Sequence, residues 1–250
     1  MRRRFALSIV LAFVGCFAWG VGSAAGTGVI GADSLDMIVI LDRSGSMVGA
    51  NWDGSVSGLS EYFHHPFSSG ASVGLNFFGV EGAGNQCDPT LYDPPQNGLG
   101  EIPGHAVILE NALAGQSPGG ATPTHPALNG SLLAATSRIL AYPDHEVIVV
   151  LVTDGDPSEC EANITQIAGL ASSAFNAFGV RTFVVGLPGA NGDQLNQIAS
   201  GGGTRRTFML DDPSSLGSTL IRIMLEAVGL AIFDDGFETG ETVRWSDWVP

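Results

Sequence analysis

Leu35-Asp36-Met37-Ile38-Val39-Ile40-Leu41 is apolar at every position but one, and Val147 to Val152 is apolar throughout. Val180 to Leu187 is a third run dominated by apolar residues. Runs of this length suit strands buried on both faces of a parallel sheet. A weaker strand signal is the alternation of Val73, Leu75 and Phe77 with Gly74, Asn76 and Phe78. The pattern predicts strands near 35–41, 71–79, 105–109, 146–152, 180–187 and 205–210. Helical spacing between them predicts helices near 52–66, 124–141, 161–178, 192–200 and 213–228. Such alternation predicts an α/β fold: a doubly wound, mostly parallel six-stranded sheet with helices on both faces. Thr124 is placed to cap the helix that Pro126 begins, and Asp212-Pro213 opens the last helix in the same way. The stretch 80–104, rich in Gly, Pro and Asn, carries neither pattern and is too long for a tight hairpin.

The ends of two strands carry the candidate chemistry. Asp42-Arg43-Ser44-Gly45-Ser46 follows the first apolar run directly. Alone, it reads first as an ordinary polar turn capping a helix. Thr153-Asp154-Gly155 closes the fourth predicted strand, and Gly119-Gly120-Ala121-Thr122-Pro123-Thr124 sets a threonine in a glycine-loosened loop before a helix. Open parallel sheets bind ligands where the carboxyl ends of strands meet the following loops, so these distant residues can converge. Carboxylates and hydroxyls are ligands for hard divalent cations.

Taken together, the three segments resemble the von Willebrand factor type A domain with its metal-ion-dependent adhesion site. The resemblance covers residues 33–229. It implies that Ser44, Ser46 and Thr122 ligate a metal directly while Asp42 and Asp154 act mostly through water. Mg²⁺ is the implied cation, with Mn²⁺ or Ca²⁺ as alternatives. It further implies that an Asp or Glu of a protein partner takes the remaining position. In members that switch, the last helix shifts, which here would be residues 213–228.

Composition narrows the setting. With 250 residues and 44% hydrophobic content, the chain suffices for one globular domain with a sizeable core. Met1-Arg2-Arg3-Arg4, the apolar stretch Phe5 to Val21 and the small residues Gly22 to Gly26 read as a signal peptide, cut after Ala25. An uncleaved membrane anchor is the alternative, as is lipidation at Cys16, where Phe13-Val14-Gly15-Cys16 approaches a lipobox but lacks its leucine. Removing residues 1–25 takes away three arginines and no acid, moving the net charge from −15 to −18. Such a surface repels nucleic acid and anionic lipid. Every cation is an arginine, so lysine–asparagine isopeptide bonds are excluded. The expected setting is secreted, periplasmic or cell-surface.

Once Cys16 leaves or is acylated, Cys87 and Cys160 remain, and in an oxidising compartment they are expected to pair; two unpaired buried thiols are the alternative. The tail, residues 230–250, runs Phe233-Asp234-Asp235-Gly236-Phe237-Glu238-Thr239-Gly240 through Trp245-Ser246. It resembles an ending found on various secreted bacterial proteins and reads either as a sorting signal or as an acidic flap. Asn129-Gly130-Ser131 and Asn163-Ile164-Thr165 match the glycosylation sequon, but both chain ends look bacterial.

An enzyme is not expected. A metal with an open position can activate water, and His125 or Asp156 could serve as base. Both have blander settings, in a helix's first turn and before Pro157. His64-His65 sits near a helix end, His105 and His145 precede predicted strands, and Ser44 lacks His and Asp partners at motif level. A rigid scaffold with a merely stabilising metal is the other alternative.

Overall fold

Eight consecutive buried residues, Leu35–Asp42, form the central strand β1 of the computed structural model, which describes residues 34–79 and 85–230. The other strands are β2 (Ser72–Phe78), β3 (Asn97–Glu101), β4 (Glu146–Thr153), β5 (Arg181–Gly186) and β6 (Phe208–Met209). They lie in the order β3-β2-β1-β4-β5-β6. Only the β2–β3 pair is antiparallel. The helices are α1 (Ala50–His64), α2 (Ala106–Ala114), α3 (Thr124–Ala141), α4 (Ile164–Phe178), α5 (Gly192–Gly201) and α6 (Leu216–Ala227).

Side chains alternate across a strand, and β1 uses both faces. Met37, Val39 and Leu41 pack with Leu59 and Phe63 of α1, Leu109 of α2 and Leu220 of α6. Ile38 and Ile40 face Leu128 of α3, Ile167 of α4 and Ile198 of α5. The chain is therefore α/β with a mostly parallel six-stranded sheet covered on both sides.

One strand is not where the pattern placed it. Ala106-Val107-Ile108-Leu109 opens helix α2 instead of forming a strand. Leu109 and Leu113, four apart, turn inward while Val107 and Ile108 stay exposed, the periodicity of a helix. The sixth strand is β3, inside a stretch that shows no strand pattern. Its Asn-Gly-Leu-Gly-Glu is extended by pairing with β2, and Gly74 leaves room for that pairing, since a Cβ there would lie 3.2 Å from Asn97 O. At the other edge, the predicted 205–210 shrinks to Phe208–Met209. Thr124 does not cap α3: the helix already includes it, Pro123 is the N-cap residue, and no side chain caps this end. The capping at Asp212 holds, its carboxylate accepting from Ser214 N at 2.9 Å.

Register sets the ends of the strands level. Asp42 lies beside Phe78, Leu41 beside Val152 and Thr153 beside Gly186. Asp42, Gly79, Asp154 and Leu187 therefore leave the sheet along one edge. At the opposite edge the buried carboxylate of Asp36 accepts from Arg138 Nε at 2.7 Å, Arg138 Nη2 at 3.1 Å and His145 Nδ1 at 2.8 Å. There, too, Arg181 bonds Glu146 and the last carbonyls of α6, at Glu226 and Ala227. Among the described residues no helix is long and apolar enough to cross a membrane. The leader, Cys16 and residues 231–250 of the tail lie outside the described residues.

Candidate metal-ion site

Asp42 is buried at the last position of β1. Its Oδ1 accepts from Ser44 N at 2.7 Å and its Oδ2 from Thr153 Oγ1 at 2.6 Å. The adjacent backbone stitches two loops together. Gly119 N donates to Arg43 O at 2.7 Å, Gly45 N donates to Gly120 O at 3.0 Å, and Arg43 N donates to Phe78 O at 2.9 Å. Gly79 makes this junction possible. Its φ is +88°, and a Cβ there would lie 2.7 Å from Ser44 N and 2.8 Å from Ala121 O. Gly79→Ala is expected to cost about 2 kcal/mol from backbone strain, before any displacement of the loops. Urea unfolding checks this, and an unchanged midpoint would refute it.

Three predicted residues form a chain of hydrogen bonds. Ser46 Oγ donates to Asp154 Oδ1 at 2.6 Å, and Ser44 Oγ lies 3.0 Å from Ser46 Oγ. Ser46 has one proton and gives it to the carboxylate, so Ser44 is the donor in the second bond. Thr122 is held from below: its N donates to Ser158 Oγ at 3.0 Å, and its O accepts from Ser158 N at 3.1 Å. A Cβ on Gly155 would lie 3.4 Å from Ser46 Oγ and 3.9 Å from Thr122 Oγ1, so both hydroxyls border the same small space. Asp42, Ser44, Thr122 and Asp154 are buried, and Ser46 is exposed. The group opens to solvent on the Ser46 side.

Burial pushes the Asp42 carboxyl up from 3.8 to about 6; the Thr153 and Ser44 hydrogen bonds oppose this, and the Asp154 charge adds slightly to it. A cation beside it would offset that burial cost. No three His, Cys, Asp or Glu side chains cluster among the described residues. Two carboxylates and three hydroxyls nonetheless meet here, an all-oxygen set that fits a hard divalent cation.

The histidines have other occupations. His64 Nε2 lies 3.0 Å from Glu110, His65 accepts from Phe67 N, and His105 rests on Gly98 O at 2.8 Å, ahead of a helix and not a strand. His145 precedes β4 and bonds Asp36 at the far edge. His125 is half-buried in the first turn of α3, and Asp156 is exposed. Cys87 and Cys160 are bonded, S–S 2.03 Å, as their pairing predicts. The bridge ties the loop after β2 to the loop that carries Asp154 and Ser158.

Sequence reasoning passes over Asn51. Its Nδ2 donates to Asp154 Oδ2 at 2.7 Å and to Pro188 O at 3.0 Å. An asparagine in the first turn of a helix carries no signal of this role.

Residues 106–221 match the family model for the von Willebrand factor type A domain. The matched segment includes Thr122 and Asp154 and begins after the Asp42–Ser46 loop. No curated protein matches the chain.

Proposed function

We propose that this protein, which carries a von Willebrand factor type A domain, captures an acidic group of a protein partner through a divalent cation. Domains of this family commonly mediate protein–protein interaction, often with a metal. The reading is carried by the convergence of Ser44, Ser46 and Thr122 hydroxyls beside Asp42 and Asp154, opening at exposed Ser46. Ser44, Ser46 and Thr122 would hold the cation directly, with Asp42 and Asp154 behind them. A bound Mg²⁺ would supply positive charge and a replaceable water for a carboxylate oxygen. Neutral hydroxyl ligands leave more of that charge uncancelled than carboxylates would. Partner and cation should therefore strengthen each other's binding. The chain's own acidity favours a carboxylate carried on a neutral or basic surface. Export, with the Cys87–Cys160 bridge formed in an oxidising compartment, belongs to the same reading.

The site reads as one of capture, not catalysis. Ser44 Oγ contacts Ser46, with no histidine among its described partners. Hydrolytic activity in purified protein that Asp154→Ala abolishes would overturn this. The scaffold alternative is separated by whether binding, and not only folding, needs the ion.

Unfolding with and without Mg²⁺ is the direct test. At about a hundred times its dissociation constant, Mg²⁺ should add roughly 2.7 kcal/mol to the wild type. The gain should disappear in Ser44→Ala and Thr122→Ala. A displayed library of short peptides, selected in Mg²⁺ and eluted with chelator, should enrich Asp or Glu. Enrichment indifferent to chelator would refute cation-mediated capture.

A further inference from the structure

Asp154 has two carboxylate oxygens, and each meets a different side chain. Oδ1 takes the Ser46 proton at 2.6 Å, and Oδ2 takes an Asn51 amide proton at 2.7 Å. The same Asn51 nitrogen reaches Pro188 O at 3.0 Å, in the turn between β5 and α5. Asn51 stands in the first turn of α1, two residues past the glycine where that helix begins. One amide thus joins the head of α1, the loop after β4 and the loop after β5. Asp154 is buried and Asn51 is half-buried.

We infer that Asn51 is a positioning residue for the cation site: it fixes the rotation of the Asp154 carboxylate and pins the Pro188 turn beside it. This rests on the reading of the site as cation-binding. A carboxylate free to rotate can turn either oxygen toward Ser46 or away from it. With Oδ2 held by Asn51, Oδ1 stays on Ser46, which keeps the Ser46 and Ser44 protons directed along the chain toward Asp154. Ser44 Oγ then keeps both its lone pairs for an electrophile, and Ser46 Oγ, which accepts from Ser44, keeps one. Neutrality matters as well. A lysine or arginine at this position would also bind Oδ2, but its charge would compete with the cation. An amide holds the carboxylate and leaves its charge in place.

The test is Mn²⁺ titration by calorimetry on the full chain, using wild type, Asn51→Ala, Asp154→Asn and the double variant. Partners that orient a metal-site group typically contribute 10- to 100-fold in affinity. Asn51→Ala should therefore weaken Mn²⁺ binding by about tenfold or more. In the Asp154→Asn background the same change should do almost nothing, because Asn51 acts through Asp154. Asn51→Lys should abolish binding while the protein remains folded by circular dichroism. Hydrogen exchange of cation-free protein supplies a second readout: Asn51→Ala should speed exchange in residues 187–191, where Ala190 N donates to Leu187 O. Wild-type affinity in Asn51→Ala, or an equal loss in both backgrounds, overturns the inference while the cation reading survives. Absence of any Mn²⁺ binding by the wild type overturns the cation reading, and the inference with it.

Discussion

Asp42→Asn is expected to make the cation-free protein more stable at pH 7.5, by about 3 kcal/mol, while abolishing its response to Mg²⁺. The carboxyl is buried, and its affinity for a proton rises from 3.8 to about 6 on folding. Each unit corresponds to about 1.4 kcal/mol, which gives the 3. The sign follows from which state holds the proton. Below pH 4 both folded and unfolded chains carry it, and the group costs nothing. Between pH 4 and 6 the unfolded chain releases it while the folded chain keeps it, so stability falls as pH rises. Above pH 6 the full cost of an ionised buried carboxylate is present. Asparagine has no such cost and keeps the contacts. Its Oδ1 can accept from Ser44 N, and its amide can donate to Thr153 Oγ1, whose proton has Gly155 O at 3.3 Å as an alternative acceptor. Urea unfolding in chelator at pH 4, 5, 6 and 7.5 should show a decline in wild type that the variant lacks. Parallel curves, or a variant less stable at pH 7.5, would show that burial does not govern this carboxyl.

The Cys87–Cys160 bridge carries the largest expected effect. It closes a loop of 73 residues, and the chain-entropy relation assigns such a loop about 4 kcal/mol. Both sulfurs lie on exposed residues, so a water-soluble reductant reaches them without unfolding the protein. Reduction, or Cys87→Ser with Cys160→Ser, should lower stability by about that amount in urea. Thiol titration of denatured, unreduced protein should find neither Cys87 nor Cys160 reactive. Free thiols there would refute the bridge. The effect should extend to the site, since Cys160 follows Ser158 by two residues and Ser158 brackets Thr122 with two hydrogen bonds. Reduced protein should therefore bind Mg²⁺ more weakly even where it is still fully folded.

How far such features were legible beforehand depended on what each residue's role required of its neighbours. β1, β4 and β5 are buried on both faces, so their apolar runs announce them within a residue or two. β3 has no such demand. It is an edge strand with two glycines, extended because β2 offers hydrogen bonds, and pairing of that kind leaves no local mark. Ala106 to Leu109 misled for the converse reason: four apolar residues suit a strand or a helix turn equally, and only packing decides. In the candidate site, Asp42, Ser44, Ser46, Thr122 and Asp154 were legible through three short motifs, two at strand ends and one in the loop before α3. Asn51 and Ser158 were not. Each acts through a contact to residues distant in the chain, and an asparagine or serine at a helix start or in a turn is ordinary.

Both ends of the described chain leave from the edge of the sheet remote from Asp42. Ser34 O accepts from Glu146 N at the foot of β4, and Arg181 holds the closing carbonyls of α6. A tether joined through either end pulls on that foot and leaves the hydroxyl cluster facing outward. The absence of lysine sharpens the point for anyone mounting the protein on a sensor surface. Amine-reactive coupling therefore finds no side chain to modify near the hydroxyl cluster.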